Sequence, residues 1–213
     1  YTAMAILMLN NGLPRIAWNQ RHAKWEQFFN SSIASKTLLI VGVGHVGGGA
    51  AKWAKKFGLY VIGIRRTGRA HRYVDEMYTA EALPEILPRA DFVLVSAPLT
   101  DTTRHLIGAR EFALLKPGAG LVNYSRANVV DYDALLKKLN RGELMAILDV
   151  FDPEPLPRSS KLWKAPNLII TPHCSSDDRE QYTPRTLDLV FRNMARFIER
   201  KPLLNRVNPK LQY

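Results

Sequence analysis

A glycine-rich turn set between a strand and a helix constrains this chain more than any other feature. Gly42-Val43-Gly44-His45-Val46-Gly47 matches the pattern G-x-G-x-x-G. It follows the apolar run Thr37-Leu38-Leu39-Ile40-Val41 and opens a stretch with helical periodicity over residues 46–57, which is the context the pattern needs to mean something. Gly42 permits a tight turn, Gly44 lets the backbone approach a pyrophosphate, and Gly47 lets the helix pack closely on the strand. The N–H groups that open the helix, around His45 and Val46, then face the phosphates. The turn therefore predicts a dinucleotide site at Gly42, Gly44, His45, Val46 and Gly47. The alternative is a glycine-rich loop with no ligand.

The rest of the chain alternates in the same way. Apolar, β-rich runs recur at Lys36–Val43, Tyr60–Ile64, Asp91–Ser96, Gly120–Asn123, Glu143–Val150 and Asn167–Thr171. Helical stretches are expected near 81–89, at 109–115, at 131–139 behind the N-cap Asp131, and at 178–200. Strands alternating with helices imply an α/β protein with a Rossmann-type, doubly wound parallel sheet and flanking helices. Residues 2–10 read as a helix apolar nearly all round and hence buried. Residues 11–30 carry Trp18, Trp25, Phe28 and Phe29 among polar neighbours, a composition suited to packing on a partner or another lobe. The expected division is 1–30 as a connecting helix and dimer arm, 31–176 as the dinucleotide-binding domain, and 177–213 as a C-terminal helix and tail.

The end of the second strand selects the cofactor. NAD-binding domains usually place an acid there, about twenty residues after the glycines, on the ribose 2′-hydroxyl. Here the segment is Gly63-Ile64-Arg65-Arg66-Thr67-Gly68-Arg69. A carboxylate would repel a 2′-phosphate, whereas guanidinium forks bind it through charge-assisted hydrogen bonds. Arg65, Arg66 and Thr67 are thus expected to hold NADP in preference to NAD. The alternative is a basic loop facing solvent.

The formal net charge of +11 also admits nucleic-acid binding. No basic run is interleaved with stacking aromatics, and Lys52, Lys55, Lys56, Lys137 and Lys138 fall on solvated helix faces, so no nucleic-acid partner is expected. No apolar run approaches the ~20 residues of a membrane helix, and no membrane partner is expected. One cysteine, Cys174, excludes an internal disulfide framework and fits a reducing compartment, with the cytoplasm as the expected location.

From about residue 35 onward the chain resembles the D-isomer-specific 2-hydroxyacid dehydrogenases, in particular members of the glyoxylate/hydroxypyruvate reductase type. The resemblance rests on Val41–Gly47, on Ser96-Ala97-Pro98-Leu99-Thr100 with Thr103-Arg104, and on Asn123-Tyr124-Ser125-Arg126 with Val130-Asp131. Leu148-Asp149-Val150-Phe151-Asp152-Pro153-Glu154-Pro155-Leu156 and Thr171-Pro172-His173 complete it. It implies reduction of a small 2-oxo acid to a D-2-hydroxy acid by hydride transfer from NADPH. Arg126 then binds the substrate carboxylate and polarises the carbonyl. His173 is the general acid, suited by a side chain that titrates near neutral pH. Glu154 is its partner, an anion that stabilises imidazolium and keeps the proton available.

The resemblance also places Ser96, Ala97 and Pro98 along the adenine and ribose side. It counts Thr103, Asn123, Tyr124, Ser125, His173 and Ser175 among the cofactor contacts. Asp149 ends an apolar strand, where a buried carboxylate needs a partner; the family use is to hold the nicotinamide carboxamide, and the alternative is a cap or turn. No metal is expected. A homodimer through the cofactor domain is implied, with the Trp18–Phe29 arm crossing to the partner.

Two departures qualify the match. His173-Cys174-Ser175-Ser176-Asp177-Asp178 lacks the glycine usual after the histidine, and Ala127 replaces the glycine usual after the arginine. Family members also carry a substrate lobe ahead of the helix that opens this sequence. The chain therefore reads as a fragment, expected to bind cofactor but to turn over little or nothing alone. A catalytically silent nucleotide sensor, such as a corepressor on the same scaffold, is the competing reading. Retention of Arg126, Glu154 and His173 argues against it.

Overall fold

The computed structural model describes residues 1–176 and 178–212. In chain order the first elements are α1 (Thr2–Asn10), α2 (Leu13–Arg21), β1 (Thr37–Val41), α3 (His45–Lys56), β2 (Tyr60–Ile64) and β3 (Glu76–Tyr78). Then come α4 (Leu83–Ile86), β4 (Phe92–Val95), α5 (Ala109–Leu114), β5 (Gly120–Asn123), α6 (Tyr132–Asn140), β6 (Met145–Leu148), β7 (Leu168–Ile170) and α7 (Tyr182–Ile198). The chain divides into two units, Tyr1–His173 and Cys174–Tyr213. The boundary expected at residue 177 falls on Asp177, which lies outside the described residues, as does Tyr213.

In the first unit all seven strands form one sheet in the order β3-β2-β1-β4-β5-β6-β7, every pairing parallel. A parallel sheet is covered on both faces, so its central strands read as continuous apolar runs rather than alternating ones. The strand period of two still sorts the side chains. Leu38, Ile40, Val61, Leu94, Val122 and Ile147 enter one core, with Ala5, Ile6 and Leu9 of α1 and Ala50, Ala51 and Ala54 of α3. Leu39, Val41, Ile62, Val93, Val95 and Leu121 enter the other, with Phe112 of α5 and Leu135 and Leu139 of α6. Helix α1 lacks a polar face because it packs against α3, β5 and β6. Helix α6 starts where Asp131 accepts a hydrogen bond from the Ala134 N–H at 3.0 Å.

The strand order reverses between β1 and β4. In open α/β sheets, the carboxyl ends at such a switch point form the ligand crevice.

Two elements differ from expectation. The sheet gains β3, whose residues Glu-Met-Tyr are only half buried and carry no apolar run. Glu76 anchors this edge by accepting hydrogen bonds from Arg89, Tyr60 and Tyr78. The helix expected near 81–89 breaks into short turns at 80–82 and 87–89 around α4. Pro84 and Pro88 lack the N–H that would continue it, and each disfavours helical geometry in the residue before it.

Beyond α2 the chain folds back on that helix. Glu26 accepts from Arg15 and, at 2.8 Å, from Asn19 Nδ2, and the Arg15 and Asn19 bonds pull its carboxyl down to about 2. The Arg15 guanidinium lies 5.0 Å from the Phe28 ring centre. Trp25 and Phe29 are left 97% and 91% exposed.

The second unit is α7 and its tail. Asn193 clasps the tail, donating to the Leu204 carbonyl at 3.2 Å and accepting from the Leu204 N–H at 2.8 Å. Val190, Met194, Phe197 and Ile198 make an exposed apolar stripe along the helix.

Candidate functional site

The glycine turn sits at the carboxyl end of β1, beside that of β4. Gly42 adopts φ +104°, in the region that favours glycine. A Cβ there would stand 2.4 Å from the Ala97 backbone nitrogen. Gly47 is required for space: its Cβ would lie 2.3 Å from the Gly42 carbonyl oxygen, and Ser96 Oγ donates to that oxygen at 2.8 Å. Gly44 differs from both. Its φ is −107°, which any residue can adopt, and among the described residues nothing lies within 4 Å of where its Cβ would stand. Among the described residues no packing calls for glycine at that point, and the backbone there is open to a group from outside. The turn thus fits the pyrophosphate of a dinucleotide, with His45 and Val46 exposed at the start of α3.

The arginine segment lies beside it, because the N–H groups of Gly42 and Val43 both donate to the Ile64 carbonyl. Arg65 to Gly68 form a turn closed by the Gly68 N–H on the Arg65 carbonyl at 3.0 Å. Arg65 is half buried, while Arg66 and Thr67 are exposed at the tip. Arg65 Nη1 donates to the Arg69 carbonyl at 3.4 Å. This places guanidinium groups one strand over from the glycine turn.

After β4, Ala97 is buried against Gly42, and Pro98 is exposed. Thr103 Oγ1 donates to the Pro98 carbonyl at 2.6 Å and tightens the loop. At the end of β5, the buried Asn123 accepts from the backbone N–H and hydroxyl of Ser125, both at 3.1 Å. Its amide donates to the Arg126 carbonyl at 3.2 Å and to Tyr132 Oη at 2.9 Å. Tyr132 in turn donates to the Val150 carbonyl at 2.9 Å, and burial pushes its phenol far above the usual range. This network shapes the backbone from which Arg126 projects. The Arg126 side chain is exposed and donates to the Ser125 carbonyl at 2.7 Å.

The acid–base candidates meet although 19 residues separate them in sequence: His173 Nδ1 lies 2.7 Å from Glu154 Oε2. Partial burial raises the Glu154 carboxyl, but hydrogen bonds from His173 and from the Phe151 N–H outweigh it and hold the group below its ordinary value. An ionised carboxylate only accepts, so Nδ1 carries the hydrogen of this bond and Nε2 is the nitrogen left for reaction chemistry. His173 has φ +54°, an unusual backbone conformation for a residue with a side chain. Its N–H reaches the Thr171 carbonyl at 3.1 Å.

Asp149 is fully buried at the end of β6. Its Oδ1 accepts from the Thr171 hydroxyl, so the carboxylate is paired to a neighbouring strand rather than serving as a helix cap. Arg126, Glu154 and His173 follow the carboxyl ends of three adjacent strands, β5, β6 and β7. Among the described residues no hydrogen bond joins Arg126 to the Glu154–His173 pair. Ser175 belongs to the second unit. Tyr132, Thr171 and Tyr1 are contributors that the sequence did not single out; for Thr171 and Tyr132 the only signal was their place inside or beside the quoted motifs.

Among the described residues no group of three or more His, Cys, Asp or Glu is placed to hold a metal ion, and no helix is long and apolar enough to cross a membrane.

Comparison with known proteins agrees with this fold. Residues 3–175 match the family described as D-isomer specific 2-hydroxyacid dehydrogenase, NAD binding domain. A glyoxylate reductase of Thermococcus gammatolerans is 37% identical over 162 residues, covering 75% of this chain and 48% of that protein. A glyoxylate/hydroxypyruvate reductase B of Escherichia fergusonii is 37% identical over 188 residues, covering 84% and 58%. The chain thus spans about half the length of the curated relatives it matches. Among solved structures, a D-isomer specific 2-hydroxyacid dehydrogenase from Xanthobacter autotrophicus in complex with NADPH and MES superposes with a TM-score of 0.89 at 34% identity, covering 99% of this chain and 86% of that one. An NADPH-dependent glyoxylate/hydroxypyruvate reductase from Sinorhizobium meliloti, in complex with NADP and sulfate, gives a TM-score of 0.89 at 30% identity, covering 99% and 67%.

Proposed function

We infer the reaction from one premise: this chain belongs to the D-isomer specific 2-hydroxyacid dehydrogenase family, whose NAD-binding domain it carries. The proposed reaction is NADPH-dependent reduction of a small 2-oxo acid, of the glyoxylate or hydroxypyruvate type, to the D-2-hydroxy acid. The observation that carries it is the Glu154–His173 bond of 2.7 Å, in the same sheet-end region as a glycine turn with open space at Gly44. A nucleotide sensor has no need of an acid–base pair.

The glycine turn holds the pyrophosphate through the backbone around Gly42–Gly47. Arg65, Arg66 and Thr67 take the 2′-phosphate; the two neighbours solved with NADPH or NADP support this choice of cofactor. Ser96, Ala97, Pro98 and Thr103 line the adenine and ribose side, with Asn123, Tyr124 and Ser125 forming the floor at β5. Asp149 accepts from the nicotinamide carboxamide. When bound, NADPH supplies the hydride for the carbonyl carbon. Arg126 pairs with the substrate carboxylate, and a guanidinium fork suits that planar, two-oxygen anion. His173 gives the proton at Nε2 to the carbonyl oxygen, while Glu154 holds the ring by Nδ1 and stabilises the imidazolium.

The exposed Trp25 and Phe29, on an arm fastened by Glu26, fit a second copy of this chain as partner; sedimentation at micromolar concentration should give a dimer. The reaction itself is tested with the full-length protein, by NADPH and NADH oxidation against glyoxylate, hydroxypyruvate, pyruvate and phenylpyruvate. Turnover of the first two with NADPH is expected. Equal or better use of NADH overturns the cofactor choice, and full activity in His173→Gln overturns the role of the histidine.

A further inference from the structure

We propose that Thr171, backed by Tyr1, is a positioning residue that locks the buried Asp149 carboxylate in the orientation that receives the nicotinamide carboxamide. This rests on the nicotinamide-cofactor reading above and concerns residues to which that reading gave no role.

The chain of hydrogen bonds has a definite direction. Asp149 is fully buried, and a buried carboxylate must be met by donors. Thr171 Oγ1 donates to Asp149 Oδ1. With its single hydrogen committed there, the Thr171 oxygen can only accept from Tyr1, whose Oη lies 2.6 Å away. Tyr1 is held in turn. Its ring meets Tyr124 edge-on, with centroids 5.9 Å apart and planes at 85°. Tyr124 Oη lies 3.0 Å from Thr2 Oγ1.

The backbone fixes the other end. The Thr171 N–H donates to the Leu148 carbonyl and the Asp149 N–H to the Asn123 carbonyl, each at 2.9 Å. The ends of β5, β6 and β7 are therefore tied to α1 through one hydroxyl relay. Thr171 also receives the His173 N–H on its own carbonyl at 3.1 Å. One residue thus sets the carboxylate with its side chain and the catalytic imidazole with its backbone. A carboxylate rotates freely about its last bond; pinning one oxygen fixes where the other points, and a ligand amide is bound only if that direction is right.

The chemistry separates this role from packing. Valine has threonine's shape without the hydroxyl, and serine keeps the hydroxyl without the methyl. The test titrates wild type, Thr171→Val, Thr171→Ser and Tyr1→Phe with two ligands: NADPH, and adenosine 2′,5′-bisphosphate, which carries the phosphates and adenine but no nicotinamide. For Thr171→Val the NADPH Kd is expected to rise about tenfold, the scale of one hydrogen bond to a charged group, while the bisphosphate Kd stays within about twofold. Thr171→Ser restores NADPH binding. Tyr1→Phe, which leaves the Thr171–Asp149 bond in place, produces a smaller loss in the same ligand-selective sense.

Equal losses for both ligands in Thr171→Val would mean a merely structural role and overturn the proposal, as would unchanged NADPH binding. Should Thr171→Val fail to fold, Tyr1→Phe decides: a loss confined to NADPH supports the relay, and none refutes it. A wild-type chain that binds neither ligand overturns the cofactor reading and the relay together. One that binds the bisphosphate as tightly as NADPH overturns the relay alone.

Discussion

Alanine at each of the three motif glycines separates the demands of the fold from those of the ligand. At Gly47 the new Cβ would stand 2.3 Å from the Gly42 carbonyl oxygen, a backbone atom that cannot swing away. Overpacking of this kind costs about 1–3 kcal/mol, and alanine's better helix propensity returns up to about 1 kcal/mol. A net loss of about 1–2 kcal/mol lowers the Tm of a chain this size by about 2–8 °C. Gly42→Ala adds backbone strain at φ +104° to a 2.4 Å clash with the Ala97 nitrogen, so its loss is at least as large. Gly44 has an ordinary φ of −107° and open space around its Cβ direction. Gly44→Ala should therefore change stability by less than about 0.5 kcal/mol. The same methyl stands where the pyrophosphate must approach the backbone, so NADPH affinity should fall by about two orders of magnitude. Thermal melts and fluorescence titration with NADPH read the two effects separately. If Gly44→Ala melts as early as Gly47→Ala, or binds NADPH like wild type, the assignment of the open space to the ligand is wrong.

Arg66→Ala should raise the Kd for NADPH about tenfold, the worth of one charge-assisted contact, and leave that for NADH within about twofold; parallel titrations check it. Glu154→Gln should lower kcat about a hundredfold, within the range for a supported general acid, with little change in NADPH Kd, as steady-state kinetics and titration would show. Glu76 bears on acid stability. Arg89, then Tyr60 and Tyr78, hold its carboxyl at about 2. A folded-state pKa below the unfolded one gives stability that is full above the ordinary carboxylate range and is lost as pH falls from about 4.5 toward 2. Glu76→Gln should reduce the fall in Tm across that interval, and melts at pH 3 and pH 6 measure it.

The parts of the fold legible in the sequence are those where one local pattern suffices. The runs in β1, β2, β4 and β5 are apolar because both sheet faces are covered, and Asp131 announces α6 because a cap acts on the next three residues. Strand β3 is illegible for the opposite reason. Its three half-buried residues are held by hydrogen bonds to Glu76 from Tyr60 on β2 and from Arg89, thirteen positions on. The turns around α4 were readable in Pro84 and Pro88, but the apolar periodicity of the segment masked them.

The site divides along the same line. Glycine spacing and the missing acid after β2 are local chemistry, so the turn and the arginines stand out in the sequence. The pairing of His173 with Glu154 and of Thr171 with Asp149 spans 19 and 22 residues, and only the sheet order brings those partners together. Placing β5, β6 and β7 side by side sets Arg126, Asp149 and His173 on neighbouring strand ends. Each side chain's rotation is then left to a partner from the next loop or strand: Glu154 for His173, Thr171 for Asp149. The residues that define the family's chemistry can therefore be read from motifs. Glu154 is legible in the same way, from its motif, whereas the part of Thr171 in aiming Asp149 is visible only where the strands meet, and Thr171 is the test of that distinction, since its hydroxyl matters to the ligand and its volume to the fold.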